Sequence, residues 1–271
     1  MRVSVIVCTY NNPRALGLVL TGLARQTRLP DEILIADDGS GEETRALIER
    51  WAARLPMPLR HVWHPDEGFR KCTILNRAIE AARGDYLVFF DGDCVPSAHC
   101  VAVHVARAAP QRYVSGGKVL LNARVSAQFD EAAVARGGLD RIGLWWLGVA
   151  KKRRLIAGAL PGVRDWLDRR VPRPPGWRGE NASAWAADAR AVGGFDERFT
   201  YGYEDADFGQ RLLLGGVRGV SVRYSAPVYH FDHARPWSNP AVSIANKALY
   251  DANRAARLVV TPHGLPGAKP G

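Results

Sequence analysis

Residues 85 to 94 read Asp-Tyr-Leu-Val-Phe-Phe-Asp-Gly-Asp-Cys, and this stretch constrains the chain more than any other. Tyr86 to Phe90 is an unbroken apolar run, too short for a helix and without a polar face. It therefore predicts a central strand buried on both sides. In open α/β sheets ligands gather beyond the carboxyl ends of such strands. This run ends in Asp91 and Asp93, with only Gly92 between them. Two carboxylates that close repel unless a cation lies beside them, and hard oxygen ligands suit Mn2+ or Mg2+ bridging substrate phosphates. Alone, Asp-x-Asp is equally the polar turn that an Asp-Gly pair commonly makes.

The flanking sequence repeats one pattern of strand, polar turn and helix. Val3 to Thr9 forms a first strand, and Asn12 with Pro13 caps and opens a helix carrying Leu16, Val19, Leu20 and Leu23. Ile33 to Ala36 ends at Asp37-Asp38-Gly39-Ser40, where Ser40 and Glu43 read as a capping box for a helix bearing Leu47, Ile48, Trp51 and Leu55. Leu59 to Trp63 is a third strand, and a helix through Ile74, Leu75, Ala78, Ile79 and Ala82 leads into the central strand. This alternation predicts an α/β class fold, a Rossmann-like and mostly parallel sheet flanked by helices. No G-x-G-x-x-G follows the first strand and no G-x-x-x-x-G-K-[ST] is present, which disfavours a dinucleotide cofactor or a P-loop. Further on, Tyr113 to Leu120 and Val220 to Tyr229 read as strands, a helix begins near Glu204, and Ala241 to Leu258 reads as a last helix before a Pro- and Gly-rich tail.

Charge locates a partner. The 271-residue chain carries a formal net charge of +10, which favours nucleic acid, an anionic membrane or a phosphorylated substrate. Between Lys151 and Arg178 nine basic residues face only Asp165 and Asp168. Residues 122–178 therefore read as a basic helical insertion. Its apolar residues Trp145, Trp146, Leu147, Leu155, Ile156, Leu160 and Trp166 could lie on an anionic membrane, or the segment could be a solvated lid. Cys8, Cys72, Cys94 and Cys100 show no C-x-x-C pairing and read as free thiols, while His99 and His104 near them fit no familiar zinc spacing and read as part of a surface helix. The first residues resemble a strand, not a signal segment, and no stretch approaches the apolar length of a membrane span. The expectation is a cytoplasmic chain, free or peripheral on the inner face of the membrane.

Five motifs occur in a telling order: Ser4-Val5-Ile6-Val7-Cys8-Thr9-Tyr10-Asn11, Asp37-Asp38-Gly39-Ser40, Asp91-Gly92-Asp93, Gly193-Gly194-Phe195-Asp196-Glu197 and Gly202-Tyr203-Glu204-Asp205-Ala206-Asp207. Together they resemble the inverting family 2 glycosyltransferases of GT-A fold, and residues 179 to 233 resemble the carboxyl-terminal domain of the β-1,4-galactosyltransferase group. The resemblance implies a metal-dependent transfer of sugar from a UDP-linked donor to a glycan or lipid-linked acceptor in bacterial surface polysaccharide synthesis, with no nucleic acid involved. It divides the chain into a nucleotide-sugar-binding half (1–121), the insertion (122–178), an acceptor-binding and catalytic half (179–235), and a carboxyl-terminal helix and tail (236–271).

Carried over by position, Asp38, Thr9 and Asn11 would meet the nucleotide base, and Arg70, Lys71 and Asn76 would lie near the donor. Asp91 and Gly92 would face its ribose and diphosphate. Asp93 with His233 and His230 would hold Mn2+ or Mg2+, although the galactosyltransferase group has a thioether where His230 stands. Asp205 would be the catalytic base and Glu204 would orient the acceptor. Glu180, Asn181 and Trp185 would wall the acceptor site. Two rival readings stay open on the residues alone. One is a nucleotidyltransferase, which should carry a Gly-rich basic loop where Tyr10-Asn11-Asn12-Pro13 stands. The other is a non-catalytic basic module for membrane or nucleic acid, which leaves the acidic motifs unexplained.

Overall fold

The computed structural model describes residues 1–140, 161–170, 176–232 and 239–267. His233, the apolar residues Trp145, Trp146, Leu147, Leu155, Ile156 and Leu160, and Lys151 to Arg154 lie outside the described residues.

The amino-terminal half runs β1 (Val3–Thr9), α1 (Pro13–Ala24), β2 (Glu32–Asp37), α2 (Glu42–Ala52), β3 (Leu59–Trp63), α3 (Lys71–Ala81) and β4 (Tyr86–Asp91). It continues through β5 (Cys94–Pro96), α4 (Cys100–Arg107), β6 (Arg112–Leu120) and the short helices α5 (Ala123–Ser126) and α6 (Glu131–Ala135). The remainder comprises α7 (Pro161–Arg170), β7 (Asn181–Trp185), α8 (Ala186–Ala191), α9 (Glu204–Leu214), β8 (Arg218–His230) and α10 (Pro240–Ala255). Asn12 caps α1 as its sequence predicts, its side chain accepting from the Ala15 N–H at 3.2 Å. The capping box at Ser40 and Glu43 does not form. Gly41 is the N-cap of α2 without a side-chain bond, because the Ser40 hydroxyl is taken by the Asn11 N–H at 2.8 Å and the Asn11 side-chain oxygen Oδ1 accepts the Gly41 N–H at 3.0 Å. That exchange ties the turn after β1 to the turn after β2.

Eight strands form one sheet in the order β3-β2-β1-β4-β7-β6-β8-β5. The first four are parallel, as the alternation of strands and helices requires. Beyond β4 the sheet is mixed, with β7 antiparallel to β4 and β6, β6 parallel to β8, and β5 antiparallel to β8. Since β5 follows β4 after only Gly92 and Asp93, yet closes the far edge of the sheet, the strands between them must curl. Side chains alternate across the strands: Val5 and Val7 pack with Leu16, Leu20 and Leu47 on one face, and Ile6 packs with Ile74, Ala78 and Phe89 on the other.

His104 differs from its expectation on a surface helix. It is fully buried on α4, with Nδ1 2.7 Å from the Ser183 hydroxyl and Nε2 2.8 Å from the Asn181 side-chain oxygen. Burial holds it down at about 4, so it packs as a neutral imidazole. The four cysteines are free thiols. Among the described residues no helix is long and apolar enough to cross a membrane.

Candidate active site

The parallel register aligns the carboxyl ends of three strands, with Thr9 opposite Asp37 and Cys8 opposite Asp91. Asp38, one residue past β2, is buried, with Oδ1 2.7 Å from His64 Nε2 and Oδ2 accepting the Arg70 N–H at 3.0 Å. Burial raises its carboxyl above the usual range against the opposing pull of His64 and Arg70. The Thr9 hydroxyl beside it is buried and has no hydrogen-bond partner among the described residues. The Arg70 guanidinium turns back to Glu67 and to the Pro65 carbonyl, at 2.6 and 2.9 Å. Arg70 therefore reaches Asp38 through its backbone, not its side chain.

At β4 the chain passes close over β1. The Gly92 N–H donates to the Cys8 carbonyl at 2.7 Å, and a Cβ at residue 92 would sit 2.8 Å from that oxygen. Only glycine fits between the two acids. Immediately afterwards β5 pairs Cys94 with His230 of β8, and the Phe231 N–H donates to the Asp93 carbonyl at 3.1 Å. The fold thereby brings His230 Nε2 to 3.5 Å from Asp93 Oδ2. Asp93, Cys94 and His230 offer ligand atoms within 4.8 Å of one another. The Cys94 thiol donates to Asp93 at 3.1 Å, and burial with Asp93 and Asp91 nearby pushes its pKa well up. The carboxylate and imidazole of this group are a donor set that fits Mn2+ or Mg2+.

Opposite this pair stands the start of α9. Lys71, the first residue of α3, places Nζ 3.0 Å from Asp91 Oδ1 and 3.8 Å from Glu204 Oε1. Burial alone would lower its pKa, but Asp91, Asp205 and Glu204 outweigh burial and hold it well above the usual lysine value. Asp205 accepts the Gly179 N–H on Oδ2 at 3.0 Å, and its buried Oδ1 has no hydrogen-bond partner among the described residues. Burial pushes Asp205 up to about 8, with Lys71 opposing and Glu204, Glu180 and Asp91 adding to the rise.

The packing beneath α9 explains why the acids hold still. Phe208 stacks on Phe195 of the Gly-Gly-Phe-Asp-Glu motif with centroids 4.3 Å apart and meets Trp177 edge-on at 4.8 Å. Asp207 pairs with the buried Arg211 at 2.7 Å, and Arg211 also donates to the Val192 and Gly194 carbonyls. Asp207 is thus a strut of the helix.

These elements enclose an open cleft of about 700 Å³. Of the sequence-predicted residues, Thr9, Asn11, Asp38, Lys71, Asp91, Gly92, Asp93, Glu204 and His230 line it. Glu180 is reached through Lys118, whose Nζ lies 3.0 Å from its carboxylate. Three expectations are corrected by the packing. Asn76 grips the Phe195 backbone, donating to its carbonyl and accepting its N–H, both at 2.8 Å, so its amide is spent on the fold. Asn181 is fully buried, donating to the Gly117 and Ala226 carbonyls. Trp185 pairs with Tyr86 at the amino end of β4, the wrong end of the strand, and its indole N–H donates to the Ala109 carbonyl at 2.8 Å. The cleft is also lined by residues to which the sequence assigned no role, Tyr10, Phe69, Lys118 and Tyr201. Lys118 carried a usable signal, a lone lysine in the otherwise apolar strand Tyr113 to Leu120.

Residues 4–129 match the family described as Glycosyl transferase family 2. Hyaluronan synthase of Pasteurella multocida is 26% identical over 83% of this chain and 24% of its own length. Mannosyltransferase PcManGT from Pyrobaculum calidifontis, in complex with GDP-Man and Mn2+, superposes with TM-score 0.57 and 21% identity over 87% of this chain and 58% of that one. S. aureus TarS in complex with UDP-GlcNAc superposes with TM-score 0.62 and 17% identity over 93% and 66%. The chain spans about a quarter to a half of the length of the curated relatives it matches. With its mixed, curled sheet and its acids gathered at the carboxyl edge of the parallel strands, the chain is built on a GT-A fold whose segment 4–129 matches glycosyl transferase family 2.

Proposed function

We propose that the chain transfers a sugar, with inversion, from a UDP-linked donor to a glycan or lipid-linked acceptor in bacterial surface polysaccharide synthesis. The observation that carries this reading is the convergence on one cleft of Asp38 and Thr9, of Asp91, Asp93 and His230, and of Lys71 with Glu204. Asp38 and the unpartnered Thr9 hydroxyl suit a pyrimidine, since a carboxylate can accept the ring N–H of uracil. Asn11 closes the same end. Asp91 and Gly92 lie where the ribose and diphosphate would pass, and Asp93 with His230 would hold the divalent ion, with His233 as a further proposed ligand. Bound there, the ion neutralises charge on the departing diphosphate.

Acceptor activation then requires one positioned carboxylate. Asp205 takes the proton of the acceptor hydroxyl as its oxygen forms the new bond to the anomeric carbon. The old bond from that carbon to the phosphate oxygen breaks, and its electron pair leaves with the diphosphate. Glu204 orients the acceptor, and Glu180 with Lys118 stands beside it. Trp166 is 55% exposed on α7, near Arg169 and Arg170, which favours an anionic membrane surface where a lipid-linked acceptor would wait. Thermal shift with UDP and GDP, each with and without Mn2+, tests donor base and metal together. A nucleotide at a hundred times its Kd adds about 2.7 kcal/mol, so the absence of any nucleotide stabilisation would overturn the reading.

A further inference from the structure

We infer that Asn246, on a helix outside the matched family segment, is a positioning residue that fixes the loop leading into Glu204 and Asp205 at the start of α9. Helix α10 sits on the body in an unusual way. Its two buried residues are both asparagines, Asn246 at 5% and Asn253 at 8% exposure. Seven residues apart, they stand two turns from each other on one face. Asn246 spends its side-chain N–H groups on the loop before α9, donating to the Tyr201 and Gly202 carbonyls at 3.1 and 2.9 Å and approaching the Thr200 hydroxyl at 3.4 Å. Asn253 donates to Asp207 at 2.8 Å and accepts from Arg198 at 3.1 Å. Helix α10 therefore holds the first turn of α9 from two sides.

The clamped loop needs holding. Gly202 has φ +100, and Tyr203, the N-cap of α9, has φ +70 without a side-chain cap bond. A bulky residue in the left-handed region is strained and persists only where its surroundings dictate it. The Asn246 bonds to the two preceding carbonyls, and the Tyr250 ring 5.7 Å from that of Tyr203, supply that dictation. The next two residues are Glu204 and Asp205. Tyr201 itself lines the cleft and meets Phe69 edge-on at 5.8 Å, so the same clamp sets one wall of the cleft.

The functional side of this inference rests on Glu204 and Asp205 serving the acceptor. Asn246→Ala removes the clamp, and Asn246→Asp replaces its donors by a carboxylate facing two carbonyls. Ile244→Ala, at a residue 71% exposed on the same helix, is the control. Hydrogen exchange of peptides spanning 198–206 reads the loop, calorimetry with UDP and Mn2+ reads the donor site, and UDP release from UDP-glucose, UDP-galactose and UDP-GlcNAc reads turnover. Both Asn246 variants should exchange about tenfold faster in 200–205 than wild type, a change in opening equilibrium of about 1.4 kcal/mol. They should bind UDP within about twofold of wild type and lose at least about tenfold in kcat at unchanged donor KM. Ile244→Ala should match wild type throughout. Unchanged loop exchange, or UDP affinity falling in proportion to turnover, would overturn the inference. Asp205→Asn is run alongside. Its retained turnover would remove the base assignment without touching the exchange result, which alone decides whether Asn246 holds the loop.

Discussion

The raised pKa of Asp205 makes the most exacting prediction. With a carboxyl near 8 in the free protein, about 1% of molecules carry the ionised base at pH 6 and about nine-tenths carry it at pH 9. Because kcat/KM reports the free enzyme, it should climb roughly tenfold per pH unit from 6 and level off above 8. Asp205→Asn should lower turnover by about 10²–10⁴-fold and abolish the climb. Stability should move the opposite way. The folded carboxyl binds its proton between pH 4 and pH 8 while the unfolded chain has lost it, so stability falls as pH rises through that window. A rise from 3.8 to about 8 corresponds to roughly 6 kcal/mol withdrawn by pH 9. Asp205→Asn, which cannot ionise, should be more resistant to denaturant than wild type at pH 9 and comparable to it only below about pH 4. The assays are initial rates of UDP release with Mn2+ and urea midpoints across the pH range. A flat kcat/KM between pH 6 and 9, or a climb that survives in Asp205→Asn and vanishes in Glu204→Gln, would refute the assignment and pass the role to Glu204.

Other perturbations read different parts of the molecule. His104, neutral and buried with a pKa near 4, should withdraw about 3 kcal/mol of stability as pH falls from 6.5 to 4, and His104→Gln should flatten that slope in urea titrations. Asp93→Ala and His230→Ala should each weaken Mn2+-dependent UDP binding, with the double variant little worse than either, because residues acting through one ion are not additive; additive losses by calorimetry would mean separate sites. Arg211→Leu leaves Asp207 buried without its partner and should cost about 3–5 kcal/mol, read as a lowered urea midpoint; a loss under about 1 kcal/mol would show that the pair is not a strut. Sedimentation with vesicles should show binding that requires anionic lipid, weakens with salt and drops in Trp166→Ala; equal behaviour with neutral vesicles would rule the docking out.

What could be read in the sequence follows from how local each cause is. Val3–Thr9, Leu59–Trp63 and the start of α9 at Glu204 match their expected bounds, because apolar runs and first-turn acids are properties of adjacent residues. Strand pairing is not. Nothing near Cys94 says that it leaves β4 for the opposite edge of the sheet, and that departure is what sets His230 beside Asp93. Trp185, as strand-forming as its neighbours, lands beside Tyr86 only because β7 runs antiparallel to β4. His104 looks like a surface residue until Ser183 and Asn181, far along the chain, arrive to satisfy both ring nitrogens. The Ser40 capping box failed for the same reason, since Asn11 from the neighbouring turn competes for the hydroxyl. The acids could be ordered by resemblance, but which cation pairs with which acid, Lys71 with Asp91 and Lys118 with Glu180, became visible only in three dimensions.

The position of β7 limits how this catalyst can be recombined. It enters from the second half of the chain and lies between β4 and β6 of the first, with Ser183 facing Val88 on one side and Val114 on the other. A graft that exchanged the carboxyl-terminal half for that of a relative, in the hope of importing a new acceptor, would remove a middle stave from the sheet. The amino-terminal half would be left with two unpaired edges, and His104 would lose both of its partners. If the proposed function holds, acceptor preference in such a scaffold is better altered at cleft-lining residues, Phe69 and Tyr201 on loops and Lys118 on β6, with the register of β7 left intact.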